Sequence, residues 1–540
     1  MVSGSITRQE KIFVALVALA VLMVTSMPYA FGYFTSPKDM QFMGILFNVP
    51  DTAQYFSWAR ELGRAVLIEN KLTPEPNPPI FFNLLWFVLG RIAIFFDLGY
   101  AETLQGFRWF AAALFLAVAY QFCSLFFEKP QERKFALLTI VLSSGIGWLL
   151  VVYKQWSGEL LFPLDLYVAE ANSFFSIMVA PHLILSAALM AVVFILWLKS
   201  VEQERLKPAV FAGLVGLILG LEHAYDLITV YAVLIILTFL LLMTEGVHWR
   251  RIGSLVIIGT LSAPPALYFV YITQRTPTWR GVLEQYGNAG VFTPDPFHLL
   301  ILLGVAFVVG LAGFGSPTPG GRDTTRWLLV KVWFGASLFL AYLPTHYQIK
   351  MLTGWQIPIA ILAVHLLCSH VRPAIVGRMP RFERALPALF LIMILPTNVY
   401  LLSWRFVDLG RHERPYYLYR DEMQALDWLQ VNSNPSEVVL GSITIGGYVP
   451  SMSGNKAFLA HWAQTLDYYE KERQVRRFFA QATPEEQRLD ILRRYNVRYI
   501  FYGREERALG SYDPRTASYL NRAFVAADTA IFQVKDEFVP

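Results

Sequence analysis

The sequence predicts a polytopic α-helical membrane protein with a small α/β domain at its C-terminal end. Of the 540 residues, 55% are hydrophobic and only 16% are charged, whereas a soluble protein of this length needs more charge to cover its surface. Apolar runs of about 18 or more residues recur up to about residue 400, as membrane-spanning helices require. Past Trp404 the long apolar runs stop, and charged and polar residues become dense.

The apolar runs predict eleven membrane spans. These are residues 12–32, 105–127, 135–153, 179–199, 208–222, 226–244, 252–273, 298–314, 327–344, 355–370 and 384–402. The stretch 79–97 is also apolar, but Pro78 and Pro79 open it and Arg91 lies within it. We interpret it as a helix lying on the outer membrane surface. A twelfth span is the alternative.

Lysine and arginine residues concentrate in short loops between the predicted spans. If the chain crosses the membrane eleven times, all of these loops lie on the same side of the membrane. Because such loops face the cytoplasm, this predicts the N-terminus inside and the C-terminal domain outside the cytoplasmic (plasma) membrane. Residues 1–402 would form the membrane module, with an outer-face loop at 33–104, and residues 403–540 the extracytoplasmic domain. The net charge of +5 is explained by these loops, so no nucleic-acid partner is expected. Cys123 and Cys368 both fall within predicted spans, which implies no disulfide framework.

In the C-terminal domain, short apolar segments alternate with segments whose apolar residues have helical spacing. Residues 437–440, 497–502 and 531–534 are predicted strands, and 421–429 and 468–479 are predicted helices. Strands that alternate with helices favour a small α/β domain. Gly446 and Gly447 follow a predicted strand, but the dinucleotide fingerprint is absent there and no nucleotide site is assigned.

Asp51 is the principal candidate for a catalytic residue. It lies in Asn48-Val49-Pro50-Asp51-Thr52-Ala53-Gln54-Tyr55, about 20 residues beyond the first span and at the head of an amphipathic stretch. The chain continues with Pro76-Asn77-Pro78-Pro79-Ile80-Phe81-Phe82-Asn83, then with Gly99-Tyr100 and Arg108 at the next span. Over residues 1 to about 400, this order resembles the polyprenol-dependent glycosyltransferases of the GT-C superfamily, especially the branch with protein O-mannosyltransferases and aminoarabinose transferases.

The resemblance implies an inverting transferase that moves a sugar from a polyprenyl phosphate at the outer membrane face, with Asp51 as general base. It also implies a further carboxylate in the second outer loop, where Asp165 and Glu170 are the candidates. The alternative for Asp51 is a helix N-cap, since Asp is preferred at that position and Gln54 would complete a capping box. The two roles are compatible. For Asp165 and Glu170 the alternative is an ordinary solvated loop charge.

The departing lipid phosphate requires a cation, and Lys350 is the candidate. It lies in a polar break between two predicted spans, where an isolated cation needs an anionic partner. Arg275 and Arg280 are alternatives, and for Lys350 a snorkelling contact with lipid headgroups is the competing explanation. Further pocket candidates are Tyr55, His182, Glu222, His223, Asp226, Tyr347, His461 and Trp462. Of these, His461 and Trp462 would suit stacking on a sugar ring. The alternatives are a purely structural hydrogen-bonded hairpin at 222–226, a structural His182 and a core Trp462.

The expected partners are a polyprenyl-phosphate-linked sugar, membrane lipid, and a glycan, lipid or protein acceptor. The sequence assigns no cofactor. A divalent metal is an alternative, for which His223 and Asp226, three residues apart, are only a weak signal. Two rival functions are a transporter or flippase of lipid-linked sugars and a non-catalytic glycan-binding membrane protein. The first predicts broken spans in matching halves of the chain. Pro264 and Pro265 break one span, but no matching break appears elsewhere.

Overall fold

A computed structural model describes residues 6–158, 166–290, 292–319, 323–375 and 380–538. In chain order, its α-helices are α1 (Arg8–Thr35), α2 (Val49–Leu62), α3 (Leu84–Phe96), α4 (Tyr100–Cys123), α5 (Pro130–Leu142), α6 (Trp148–Ser157), α7 (Ser173–Val179), α8 (Pro181–Glu202), α9 (Lys207–His223), α10 (Asp226–Glu245), α11 (Trp249–Arg275), α12 (Pro277–Glu284), α13 (Pro296–Phe314), α14 (Asp323–Leu340), α15 (Gln356–Leu366), α16 (Arg372–Ile375), α17 (Pro380–Ile394), α18 (Pro396–Gly410), α19 (Arg420–Asn432), α20 (Ile443–Met452), α21 (Tyr468–Phe479), α22 (Glu485–Arg494) and α23 (Arg504–Leu509).

The strands are β1 (Met40–Phe42), β2 (Tyr417–Tyr419), β3 (Val438–Leu440), β4 (Lys456–Ala457), β5 (Val497–Tyr502), β6 (Leu520–Ala526) and β7 (Thr529–Val534). β1 and β2 form an antiparallel pair. The others form a sheet in the order β4-β3-β5-β7-β6, in which β3 runs parallel to β4 and β5, and β7 antiparallel to β5 and β6. The predicted strands and helices of the α/β domain are therefore confirmed.

Seven helical segments in the described residues are long and apolar enough to cross a membrane. They are α1, α4, α8, α10, α11, α13 and the segment Gln348–Ile375 around α15, and a pair bent by 41°, residues Arg384–Ile394 with Pro396–Gly410, raises the number to eight. The fold expectation of a polytopic helical membrane protein is confirmed. Two other predicted spans are helical but are not among these segments. Residues 208–222 correspond to α9, which is shorter, with 17 residues. Residues 327–344 correspond to α14, whose 18 residues include three charged ones.

The predicted span 135–153 is not one helix. α5 ends at Leu142 and α6 begins at Trp148, and between them Ile146 N donates to Ile301 O at 2.9 Å. α13 breaks its helical geometry opposite this point, at Gly304 with φ 68°. A Cβ on Gly304 would lie 2.3 Å from Ser144 O. Glycine at this position permits both the left-handed backbone and the close contact with the 143–147 break.

α3 occupies the apolar stretch 79–97. Asn83 caps it by accepting from Trp86 N at 3.2 Å. Its 13 residues extend about 20 Å, less than the roughly 30 Å hydrocarbon core of a bilayer. It packs closely on α2, since a Cβ on Gly90 would lie 2.0 Å from Ala59 O. The length agrees with a surface helix, and its side of the membrane stays a prediction.

The chain divides into two compact units. The first comprises residues 1–27, 106–270 and 291–405, and the second comprises 28–105, 271–290 and 406–540. Our predicted division placed loop 33–104 with the membrane module, whereas this grouping places it with the C-terminal residues. The apolar core of the second unit includes Leu440, Phe458, Phe478, Leu492 and Ile500.

Three lysines from two parts of the sequence explain why loop 33–104 belongs to the second unit. Lys71 Nζ lies 2.9 Å from Glu61 and donates to Gly454 O at 2.7 Å. Lys456 pairs with Glu69 at 2.7 Å, and Lys471 with Glu75 at 2.5 Å. Burial lowers the pKa of Lys471, and the charge of Glu75 opposes that shift. Removing one partner of such a pair leaves an uncompensated charge, so these contacts tie the loop to the C-terminal residues.

Candidate active site

Asp51 lies in the first turn of α2. Asn48 precedes the helix with φ 45°, a left-handed conformation that Asn tolerates better than most residues. Pro50 follows within the first turn, where its missing N–H has no helical acceptor. Asn48 Nδ2 donates to Asp51 Oδ2 at 2.6 Å. The alternative in which Asp51 is the N-cap with Gln54 in a capping box is wrong, because the helix already begins at Val49.

The other carboxylate oxygen of Asp51 is held by His461. His461 Nε2 lies 2.7 Å from Asp51 Oδ1. The second ring nitrogen, Nδ1, accepts from the backbone N–H groups of Ala463 at 3.0 Å and Gln464 at 3.3 Å. Because Nδ1 is an acceptor, the ring proton is on Nε2. His461 is therefore a hydrogen-bond donor to Asp51, and it is not placed to take a proton from it.

The segment around His461 is fixed by several polar side chains. Thr465 Oγ1 accepts from the N–H groups of Ala460 and His461 at 3.0 and 3.1 Å and donates to Leu72 O at 2.6 Å. Asn70 Nδ2 donates to Gln464 O at 2.9 Å. Gln285 Nε2 donates to the carbonyls at 463 and 465 at 3.0 and 2.9 Å. His461 itself is 2% exposed, so the orientation of its ring is set by its surroundings.

Two aromatic candidates lie in the second unit. Trp462 is half-buried, its ring centroid is 4.8 Å from that of His461, and its carbonyl accepts from Asn288 Nδ2 at 2.9 Å. Tyr55 lies one helical turn beyond Asp51 and stacks on Trp86, with ring centroids 4.5 Å apart and planes 11° from parallel. Asp51 and Tyr55 therefore share one face of α2. Stacking of Trp462 on a sugar ring stays a prediction.

The Asp51 side chain is 21% exposed. A carboxylate oxygen has two lone pairs, so an oxygen that accepts from His461 or Asn48 can accept a further proton from a substrate. This arrangement suits a general base whose direction is fixed by its neighbours.

A second polar cluster lies in the first unit, where α9 meets α10. His223 Nδ1 lies 2.8 Å from Asp226 Oδ2, and Ser186 Oγ donates to Glu222 at 2.6 Å. The ring centroid of His182 is 6.1 Å from that of His223, and the ring centroids of Tyr225 and Tyr347 are 4.7 Å apart. The tight hairpin expected at 222–226 is present. A pocket role for these residues stays a prediction.

Lys350 does not have the isolated position on which its prediction rested. It lies in a 3-10 helix, Gln348–Leu352, and its Nζ is 2.5 Å from Glu170 Oε1 in a second 3-10 helix, Ala169–Ala171. The side chains are 25% and 10% exposed. The sequence identified both residues as candidates but gave no sign that they pair, because they are 180 positions apart.

The remaining phosphate-binding candidates lie in the second unit. Arg275 is the last residue of α11, and Arg280, in α12, donates to Gln274 O. Both are exposed. The carboxylate candidate Asp165 lies outside the described residues. Among those residues, no group of three or more His, Cys, Asp or Glu side chains is arranged to hold a metal ion.

Sequence reasoning did not identify Asn48, Asn70, Gln285 and Thr465 as site residues. Asn70, Gln285 and Thr465 belong to no recognisable motif, and their roles depend on contacts between distant segments. Asn48 does have a local signal, since an Asn two residues before Pro50 and three before Asp51 indicates the start of a helix.

No protein-family model matches the sequence, and no curated protein matches it. Three membrane glycosyltransferases of known structure have a similar fold. The aminoarabinose transferase ArnT from Cupriavidus metallidurans, bound to undecaprenyl phosphate, has a TM-score of 0.53 at 13% identity and covers 97% of this chain and 99% of its own. The oligosaccharyltransferase AglB from Archaeoglobus fulgidus, in complex with an inhibitory peptide and a dolichol-phosphate, has a TM-score of 0.55 at 12% identity, over 92% of this chain and 70% of its own.

The arabinofuranosyltransferase AftD from Mycobacteria has a TM-score of 0.54 at 14% identity, over 98% of this chain and 40% of its own. All three are glycosyltransferases of the GT-C type. At these identities the comparison establishes the fold, and the expected GT-C-like fold is confirmed.

Proposed function

We propose that this chain is an inverting glycosyltransferase that moves a sugar from a polyprenyl-phosphate donor to an acceptor at the outer membrane face. The fold supports glycosyl transfer in general, because the three similar proteins are glycosyltransferases. ArnT is bound to undecaprenyl phosphate and AglB to a dolichol-phosphate, which supports a lipid-linked donor. The observation that carries the proposal is the Asp51 carboxylate, oriented by His461 Nε2 and Asn48 Nδ2.

In the proposed reaction, Asp51 takes the proton of an acceptor hydroxyl or amine. The acceptor lone pair forms a bond to the anomeric carbon as the bond from that carbon to the phosphate oxygen breaks. The electron pair of that bond leaves with the polyprenyl phosphate, and a single displacement inverts the anomeric configuration. His461 and Asn48 hold the carboxylate of the base in one orientation. A fixed orientation raises the rate of proton transfer when the acceptor is bound close to the base.

Lys350 is the proposed contact for the departing phosphate, with Arg275 and Arg280 as the alternatives. A phosphate at Lys350 has to compete with the Glu170 carboxylate for the same ammonium group, since that pair is already formed. This makes the net effect of Glu170 on donor binding unfavourable. Pocket roles for His182, Glu222, His223, Asp226 and Tyr347 are also proposed. Their support is the polar cluster that these residues form within the first unit.

We also place the chain in the cytoplasmic membrane, with its N-terminus inside and residues 403–540 outside. The support is the Lys and Arg bias of the short loops. This orientation puts Asp51 and His461 on the side of the membrane opposite to the cytoplasm.

A donor-turnover measurement tests the function directly. The purified full chain in lipid nanodiscs is incubated with polyprenyl phosphates that carry a hexose, a pentose or an amino sugar, together with an envelope extract as the source of acceptor. Mass spectrometry then follows conversion of each donor to the bare polyprenyl phosphate. We expect one donor to be converted, with the opposite anomeric configuration in the product.

Two other results would overturn the proposal. If a donor binds but none is converted, the chain is a glycan-lipid-binding protein. If an intact donor crosses the bilayer of a proteoliposome without losing its sugar, the chain is a transporter.

A further inference from the structure

A cavity of about 630 Å³ lies in the second unit, and neither Asp51 nor His461 lines it. Its volume is in the range of ligand sites, which are mostly apolar with a few polar groups. Buried apolar side chains form much of the lining, namely Met40, Phe42, Met43 and Phe56. Exposed polar side chains form another part, namely Gln41, Glu102, Arg420 and Gln430. The cavity therefore suits a ligand with both an apolar and a charged part.

Arg60 lines the same cavity and is 6% exposed. Its guanidinium donates to three backbone carbonyls at the end of α20, those of Ser451, Met452 and Ser453, at 3.5, 2.9 and 3.2 Å. Burial lowers its pKa. Within the described part of the chain, no carboxylate forms an ion pair with it. Carbonyls at a helix C-terminus offset part of the charge, and an anionic ligand would complete the compensation.

The position of the cavity indicates where the ligand comes from. Tyr33, near the end of the candidate span α1, and Tyr100, at the start of the candidate span α4, both line it. Tyrosines at span ends mark the headgroup level of a bilayer. Phe34, next to Tyr33, is 89% exposed, as expected for a side chain in contact with lipid. Lining residues at the ends of two candidate spans therefore place the cavity close to the level of lipid headgroups.

We propose that this cavity binds an aminophospholipid, a lipid whose headgroup has both a phosphate and a primary ammonium group. The phosphate faces Arg60 and Arg420, the ammonium faces Glu102, and the beginning of the acyl chains covers the methionine and phenylalanine side chains. Arg60 and Arg420 without Glu102 would suit any anionic lipid. Glu102 makes the cavity prefer a headgroup with both charges. This site is independent of the proposed transfer reaction.

Native mass spectrometry of the delipidated full chain tests the site, with dioleoyl phosphatidylethanolamine and dioleoyl phosphatidylglycerol titrated side by side. We expect one tightly bound phosphatidylethanolamine, preferred over phosphatidylglycerol by roughly tenfold, the scale of one charge-assisted contact. Glu102→Gln should abolish the preference by weakening phosphatidylethanolamine alone. Arg420→Gln should weaken both lipids, and Gln430→Trp, which places a large side chain in the lining, should do the same.

The matched controls are Glu470→Gln and Arg473→Gln. These residues are 41% and 58% exposed on α21 of the same unit and are outside the cavity lining. They should leave both titrations unchanged. Equal affinity of the parent chain for the two lipids, or an unchanged preference in Glu102→Gln, would overturn the proposal. Binding of soluble glycerophosphoethanolamine as tight as that of the lipid would overturn the lipid assignment, because the ligand would then be a free phosphate ester.

Discussion

Asp51 and His461 are 410 positions apart in the sequence and are joined by a 2.7 Å hydrogen bond. Asp51 comes from the first turn of α2, and His461 from the segment between β4 and α21. Both ring nitrogens of His461 are used, one toward the carboxylate and one toward two backbone N–H groups. The candidate base is thus oriented by one residue of its own loop, Asn48, and by His461 from the C-terminal part of the chain.

This relationship predicts different results for two substitutions of His461. The amide of Gln reaches the position of Nε2 and can still donate to Asp51, whereas the amide of Asn reaches only that of Nδ1. We expect His461→Gln to keep most of the transfer rate and His461→Asn to lose roughly tenfold or more. Single-turnover rates at saturating donor measure this, with donor affinity expected to stay unchanged. Equal rates in the two variants would mean that the hydrogen bond to Asp51 has no part in orienting the base.

The Lys350–Glu170 pair predicts that neutral substitutions of its two members have opposite effects on donor affinity. Lys350→Gln removes the cation and should weaken donor binding by about 10 to 150-fold, while Lys350→Arg should keep much of it. Glu170→Gln removes the competitor and should strengthen donor binding. A donor titration at saturating acceptor, with the thermal midpoint as folding control, measures all three. If neither neutral variant shifts the donor curve, the pair is structural and Arg275 or Arg280 becomes the candidate contact.

The buried ion pair of Lys71 predicts a larger loss of stability on substitution than the exposed ion pair of Lys129 does. Its side chain is 6% exposed and contacts both Glu61 and Gly454 O, so Lys71→Met should lower the free energy of unfolding by about 3 kcal/mol. Lys129 is the matched control, since it pairs with Glu132 at 3.1 Å but is 75% exposed. Lys129→Met should cost under about 1 kcal/mol. Unfolding of both variants beside the parent chain measures this, and equal losses would show that the buried pair does not tie loop 33–104 to the C-terminal residues.

The proposed orientation in the membrane predicts a labelling pattern with an impermeant thiol reagent. The background is a variant without Cys123 and Cys368. In intact cells, Arg473→Cys should be labelled and Lys129→Cys should be labelled only after the membrane is opened. Arg91→Cys, on α3, should be labelled from outside if this helix lies on the outer surface. The reverse pattern for residues 129 and 473 would invert the topology.

The sequence predicted those features that depend on local composition. Apolar runs marked most of the membrane helices, and strand propensity located β3, β5 and β7 in the C-terminal domain. It failed where distant segments meet. The 135–153 span is broken at a point where the 143–147 segment meets Gly304 of α13, and nothing near residue 145 indicates that partner.

In the candidate site, too, the sequence identified single residues but not the contacts between them. Asp51 and His461 were each identified from their local motifs, but as separate features, with His461 assigned to sugar stacking. Their hydrogen bond depends on the loop held by Asn70, Thr465 and Gln285, which have no sequence signature. Lys350 and Glu170 were likewise identified singly, and only the fold shows that they pair.

The single-turnover transfer rate of Asp51→Asn tests whether Asp51 is the general base. Asn keeps the size of the side chain and can still accept through its carbonyl oxygen, but it cannot take a proton as a carboxylate does. With donor affinity and thermal midpoint at the parent values, we expect the rate to fall by about 10²–10⁴-fold, the usual loss when a general base is removed. A rate within a few-fold of the parent chain would show that Asp51 is not the base.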